Sequence, residues 1–316
     1  MSITKVLRQH LLQYAIGAVL WIAAIGCGPD TEPESERAGL VPATALIATV
    51  DSLPRDPAIA SLPADSAHAA QILYGLRVMR ETPTLADEFV GNALTCQNCH
   101  LNAGQREKAL PLVGVASLFP QFRSRDGRLV TLEDRIRGCF LRSMNGTAPP
   151  YDNPELLALS AYIAWLGKGH EAGISPSWQG ENRISPEARI PIAELDVDRG
   201  EELYSLHCAA CHGADGQGLD MGLAKPGPLW GENSWNDGAG AARIYTLAGF
   251  IRYAMPLTDP GTLTDEEAQQ ISAYVNSHAR PVFPNKEADY PGVQRPQDAV
   301  YDPAVFERNP FFPVQD

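Results

Sequence analysis

Along the chain, apolar and polar positions group into four helical stretches that form two pairs. "AAQILYGLRVMRE" (69–81) and "DVDRGEELYSLHC" (196–208) each lead into a cysteine motif, and "NPELLALSAYIAWLG" (153–167) and "TDEEAQQISAYVNSHA" (264–279) close each unit. Both closing stretches begin on N-cap signals, Asn153 before Pro154 and Thr264 before Asp265, where a short side-chain oxygen satisfies a free backbone N–H of the first turn. The uncharged run "LLQYAIGAVLWIAAIGC" (11–27), preceded by Lys5 and Arg8, is too short to favour a spanning helix and reads as the core of a signal peptide. Residues 28–64 show no sustained periodicity and read as a tether, and the Pro-rich end of the chain reads as an extended strap over a folded body.

The pairing reflects an internal repeat. "LTCQNCHLNAG" matches "LHCAACHGADG", "LSAYIAWLG" matches "ISAYVNSHA", and the step from Cys96 to Tyr162 equals that from Cys208 to Tyr274, 66 residues in both. The 316-residue length accommodates two domains. The expected organisation is a leader (1–27), a tether (28–64), a first domain (65–180), a second domain (190–283) and a tail (284–316), with a linker near 173–191. With 26 Pro and 27 Gly, much of the chain is irregular connection. A formal charge of −13 argues against nucleic acid and anionic membrane surfaces as partners.

Two Cys-x-x-Cys-His pentads, Cys96-Cys99-His100 and Cys208-Cys211-His212, carry the attachment signature of c-type haem. On a helical turn, positions three apart share a face, so both thiols reach the two vinyl groups while the adjacent imidazole meets the iron. A redox pair or half a zinc site would use the same spacing, but an exported chain with His after each of two copies favours two covalently attached haem c groups. Neither unit has a rich aliphatic core, so each is expected to fold around its haem in an all-α architecture of two tandem cytochrome c domains.

Each iron needs a further ligand. In the second unit, Met255 lies 47 residues after Cys208 and precedes Pro256, which makes its thioether the expected partner of His212. Met221 is the weaker candidate and reads as packing. In the first unit the corresponding place holds "RIRGCFLRSMNG", with Cys139 lying 43 residues after Cys96. A lone thiol beside several arginines has its thiolate favoured, and a thiolate is a strong, soft iron ligand. Two rivals stand next to it: Met144 as the ligand with Cys139 a buried small hydrophobe, or His170 reaching in. From Arg123 to Arg142, six arginines face three acids, a window of +3 in an acidic chain. Some of these pair with haem carboxylates and the local acids, while the remainder suit an oxyanion pocket, because guanidinium forks match tetrahedral oxyanions.

"RSRDGRLVTLEDRIRGCFLRSMNG", "PGPLWGENSWNDGAGAARIYTLAGFIRYAMP" and the two pentads together resemble the thiosulfate dehydrogenase family of dihaem cytochromes c, over residues 70–284. The resemblance implies oxidation of two thiosulfates to tetrathionate, with the reverse reaction favoured in some relatives, at a His/Cys-ligated haem. It implies that Cys139 is both ligand and reactive sulfur, that Arg125, Arg135 and Ser143 hold substrate oxyanions with Asn145 assisting, and that electrons leave through the His/Met haem to a small redox protein such as a cytochrome c. Some relatives place a lysine beside the methionine and exchange the two on reduction; Ala254 stands there, which argues against such exchange. The alternatives are a non-catalytic dihaem carrier and the haem subunit of another sulfur-oxidising complex. The leader implies a periplasmic location, and Ala24-Ile25-Gly26-Cys27 resembles a lipoprotein cleavage box, so Cys27 is a candidate lipid tether unless ordinary signal peptidase removes it.

Overall fold

The computed structural model describes residues 37, 39–43, 67–222 and 225–299. The leader, Cys27, most of the tether and residues 300–316 lie outside the described residues. Among the described residues, six helices of eleven or more residues carry the fold: α1 (Ala67–Arg80), α2 (Leu132–Arg142), α3 (Pro154–Leu166), α4 (Val197–His207), α5 (Ile244–Ala254) and α6 (Asp265–Ser277). α1 packs on α3 in the first unit, and α4 and α5 pack on α6 in the second.

The helices start where local chemistry dictates. Asn153 Oδ1 accepts from Leu156 N at 2.9 Å, with Pro154 in the first turn. Thr264 and Glu267 form a reciprocal capping box, as do Thr131 and Asp134 at the start of α2. Asp196 accepts from Arg199 N at 3.0 Å.

The repeat is visible in how the helices cross. At Gly75 of α1 a Cβ would stand 2.0 Å from the Ala158 carbonyl oxygen and 2.8 Å from Tyr162 Cβ. At Gly200 of α4 it would stand 2.2 Å from the Gln270 oxygen and 2.8 Å from Tyr274 Cβ. Both glycines therefore let a leading helix sit backbone to backbone on its closing helix, beside the tyrosine that the repeat places there. Gly75 lies 21 residues before Cys96 but Gly200 only eight before Cys208. The first unit takes up the difference with short turns at Thr82–Leu85 and Asp87–Phe89 before its pentad. The expected direct run of helix into cysteine motif thus holds only in the second unit, where α4 abuts the Ala209–His212 turn.

The helical architecture carries one small addition among the described residues, an antiparallel hairpin of β1 (Gln121–Arg123) and β2 (Arg128–Val130). Its turn uses Gly127 at φ +63°, a conformation that glycine adopts without steric cost. The tether is bound where it is described: Val41 bridges Arg106 in parallel pairing, and the fully buried Arg106 donates to the Ala43 and Leu257 carbonyls.

Replacing Gly200 by Ala forces α4 away from α6, an overpacking that costs about 1–3 kcal/mol. Gly240→Ala, where a Cβ meets nothing within 4 Å, is the matched control. Thermal unfolding of the haem-loaded proteins is expected to show a lowered Tm for the first and a near-unchanged one for the second.

Candidate active site

The first pentad lies on a single tight turn, Cys96–Asn98, followed by Cys99 and His100. Thr95 and Asn98 cap that turn reciprocally, and Thr82 Oγ1 receives Cys96 N at 3.0 Å. Cys96, Cys99 and His100 all line one cavity of about 310 Å³. His100 Nδ1 lies 2.6 Å from the Leu110 carbonyl, so that nitrogen carries the proton and Nε2 keeps its lone pair, the arrangement typical of a metal-ligating histidine. Burial pushes the His100 imidazole down to about 4, which keeps it neutral. Burial likewise raises the Cys96 thiol to about 11 and the Cys99 thiol to about 12. All five described cysteines are free thiols.

The opposite wall is supplied by α2. Arg135 and Cys139 are one helical turn apart and line the same cavity, and Arg135 Nη1 donates to Cys139 Sγ at 2.8 Å. Ser143, the C-cap of α2, and Met144 also line it. His170 stacks edge-on against Trp178 at 5.4 Å between ring centroids and does not line this cavity.

A second cavity of about 620 Å³ adjoins the first and shares Arg123, Arg135, Ser143 and Arg183 with it. Seven arginines and two aspartates contribute to its wall. Arg125 belongs to this outer cleft only, where it donates to the Gly238 carbonyl at 2.8 Å and to the Tyr290 hydroxyl at 3.2 Å. Part of the arginine run serves the fold, as local pairing leads one to expect. Arg128 pairs with Asp134 at 2.9 Å, and Arg137 donates to the Pro149 carbonyl and covers the Tyr151 ring at 4.0 Å. Arg142 binds Asp289 through both terminal nitrogens at 2.8 and 2.6 Å.

Asn145 is not brought into either cavity. Its φ of +46° turns the chain out of α2, and its side-chain oxygen accepts from Asn236 Nδ2 at 3.1 Å. Asn236 also donates to the Leu141 carbonyl at 2.8 Å, and Asn92 bridges the Ser143 and Ser234 carbonyls at 2.8 and 3.1 Å. The end of α2 is thereby stitched to the second unit.

Arg123, from the expected arginine cluster, lines both cavities; Arg183, on the linker, and Asp289, beside Arg142, were not expected at the site. Neither the Pro-rich tail nor the linker at 173–191 carries a motif that points to the site.

In the second unit, Cys208 precedes the Ala209–His212 turn that carries Cys211 and His212. Burial lowers the proton affinity of His212 and raises the Cys208 thiol to about 12. Met255 ends α5 and packs with Leu101, Ala109, Ala254, Phe250 and Leu257, which ties its loop to the first pentad's flank. Met221 is 52% exposed. Arg280 Nη1 and Trp235 Nε1 are buried without a partner, and an anionic group such as a haem carboxylate would satisfy both. The residues present therefore fit a covalently held haem in each unit.

This combination defines a two-domain c-type cytochrome in which one site adds a thiol and a cationic cleft to the attachment motif. The SoxA/TsdA cytochrome c domain family matches residues 88–172, and the family described as cytochrome C oxidase, cbb3-type, subunit III matches residues 195–275. The chain is 39% identical to a thiosulfate dehydrogenase of Allochromatium vinosum over 278 residues, covering 86% of this chain and 95% of that protein. It is 40% identical to a thiosulfate dehydrogenase of Stutzerimonas stutzeri over 225 residues, 71% of each. The solved thiosulfate dehydrogenase (TsdBA) of Marichromatium purpuratum superposes with a TM-score of 0.66 at 38% identity, covering 72% of this chain and 49% of that one, so this chain spans about half its length. The chain belongs to the thiosulfate dehydrogenase family.

Asp134 holds the start of the helix that presents Cys139. Its hydrogen bond from Arg128, with further ones from Tyr151 and Thr131 N, keeps its carboxyl well below the usual range despite partial burial. A depressed carboxyl adds stability that is complete above its unfolded value of about 4 and is lost as pH falls toward the folded value. Denaturant unfolding is therefore expected to show Asp134→Asn less stable than the wild type at pH 7, with the gap narrowing at pH 3.

Proposed function

We propose that the protein oxidises two thiosulfates to tetrathionate at the first site, reversibly, and delivers two electrons to an external acceptor. The observation that carries this reading is the 2.8 Å contact of Arg135 with Cys139 in a cavity shared with Cys96, Cys99 and His100 and open to an arginine-lined cleft. A pure electron carrier needs neither the thiol nor the cleft.

Cys96, Cys99, His100 and Cys139 would hold the first haem, and Cys208, Cys211, His212 and Met255 would hold the second. When bound, the haems would supply one-electron acceptance, with the lower potential expected at the site where Cys139 adds a thiolate. The chain's own residues do the rest. Arg135 donates to the Cys139 sulfur and, with Ser143 beside it and Arg125 in the outer cleft, holds oxyanions against their mutual repulsion. The Cys139 thiolate and a thiosulfate join through a new S–S bond as two electrons depart, giving Cys–S–S–SO3⁻. A second thiosulfate attacks that adduct, tetrathionate leaves, and the electron pair of the broken S–S bond returns to Cys139. No proton enters the balance. Asn145 serves this scheme indirectly, by fixing the end of α2.

The acceptor would be a cytochrome c or another small redox protein. Export to the periplasm and a lipid on Cys27 complete the proposal; both rest on residues outside the described ones. Among the described residues no helix is long and apolar enough to cross a membrane.

Incubating haem-loaded protein with thiosulfate and an acceptor is expected to give one tetrathionate per two electrons over repeated turnovers. Cys139→Gly and Cys139→Met are expected to lower turnover by at least about a hundredfold and to change the first haem's spectrum. Turnover that survives with an unchanged spectrum would remove Cys139 from the mechanism.

A further inference from the structure

We propose that Arg123 and Arg183 form a second anion subsite where the two cavities meet, and that it binds the thiosulfate that attacks the Cys139 adduct or, in reverse, the distal sulfonate of tetrathionate. The assignment of this ligand rests on the function proposed above.

Charge accounting leads to these two residues. Of the seven arginines around the outer cleft, most are already engaged. Asp289 takes Arg142 at 2.6 Å and approaches Arg125 at 4.0 Å, and Asp298 takes Arg243 at 2.7 Å. Arg189 lies over the Tyr245 ring at 5.1 Å, and Arg135 is directed at Cys139. Arg183 has no carboxylate within ion-pair distance among the described residues, and Arg123 has only Asp126, at a loose 3.8 Å. Burial and the neighbouring Arg135 lower the proton affinity of Arg123, the mark of a cation short of countercharge. Together with Arg135, these are the only arginines among the described residues that line both cavities.

The backbone under each is fixed. Arg123 ends β1, paired across the hairpin with Arg128. Arg183 sits in the linker between two anchors, Trp178 and Ile184, which are 2% and 1% exposed. The carbonyl oxygen of Asn182 comes within 2.1 Å of where a Cβ on Gly249 would stand, so the linker lies directly on α5. An otherwise exposed arginine is thus presented to the junction by a pinned segment.

The chemistry needs cations at this point. A thiosulfate dianion must approach an adduct that already carries a sulfonate, and in that step one S–S bond forms while the S–S bond to Cys139 breaks, with no net oxidation. Planar guanidinium forks at the junction offset this repulsion without competing for Cys139.

The test uses the haem-loaded full chain with Arg183→Gln, Arg123→Gln and Arg183→Lys, and with Arg77→Gln as control, since Arg77 pairs with Glu81 on the exposed face of α1. The two Gln variants are expected to keep wild-type haem spectra. In each, KM for thiosulfate and the Kd for tetrathionate titrated onto the oxidised protein should rise about tenfold, the loss of one charge-assisted contact. Arg183→Lys should fall between, because it keeps charge without the fork, and Arg77→Gln should match the wild type. Arg183→Gln with wild-type KM and tetrathionate Kd would overturn the subsite. A wild type that binds tetrathionate but neither forms nor consumes it would overturn the functional reading instead, and the titration would still decide the subsite.

Discussion

The eleven residues of α2 meet three demands at once, and the rest of the site depends on their doing so. The first turn must be capped, which Thr131 and Asp134 do reciprocally. The middle must put Arg135 and Cys139 on one face, which a spacing of four provides at 3.6 residues per turn. The last turn must give its free carbonyls to partners, and Asn92 and Asn236 take those of Ser143 and Leu141. A slip of one residue would rotate Cys139 by about 100° and carry it away from the cavity that Cys96, Cys99 and His100 line. Capping at one end and interdomain hydrogen bonds at the other set the register against such a slip.

The same helix joins the reactive cavity to the charge around it. A chain of net −13 concentrates seven arginines around one cleft, and burial makes each unneutralised charge there costly. The carboxylates that relieve this cost come from far along the chain. Asp289 reaches Arg142 and Arg125, and Asp298 reaches Arg243. The tail therefore determines which cations remain available to an anion, although no catalytic motif lies in it. The second unit contributes backbone as well, since the Gly238 carbonyl accepts from both Arg125 and Arg142.

What was legible in the sequence was local. The two pentads and the caps at Asn153 and Thr264 depend on residues within a turn of one another, and the repeat at 66 residues on self-similarity along the chain, so all can be read from spacing. The helix Leu132–Arg142 was not expected, although a spacing of four puts Arg135 beside Cys139 once that helix is known. The hairpin was missed because its strands are three residues long, although Asp126-Gly127 is a turn signal that could have flagged it. Asn145 was assigned to the substrate on resemblance, but its partner is Asn236, 91 positions away. Arg183, Asp289 and the close crossings at Gly75 and Gly200 are likewise products of tertiary packing, and no local pattern encodes them.

The central claim is that Cys139 carries a thiosulfate-derived sulfur during turnover. Its most direct test is mass spectrometry of peptides from the oxidised, haem-loaded protein after brief exposure to tetrathionate under acid quench. The account predicts that the peptide containing Cys139 gains one S–SO3 group, and that the group is removed by added thiosulfate with release of tetrathionate. A protein that turns over while Cys139 remains unmodified would contradict the account.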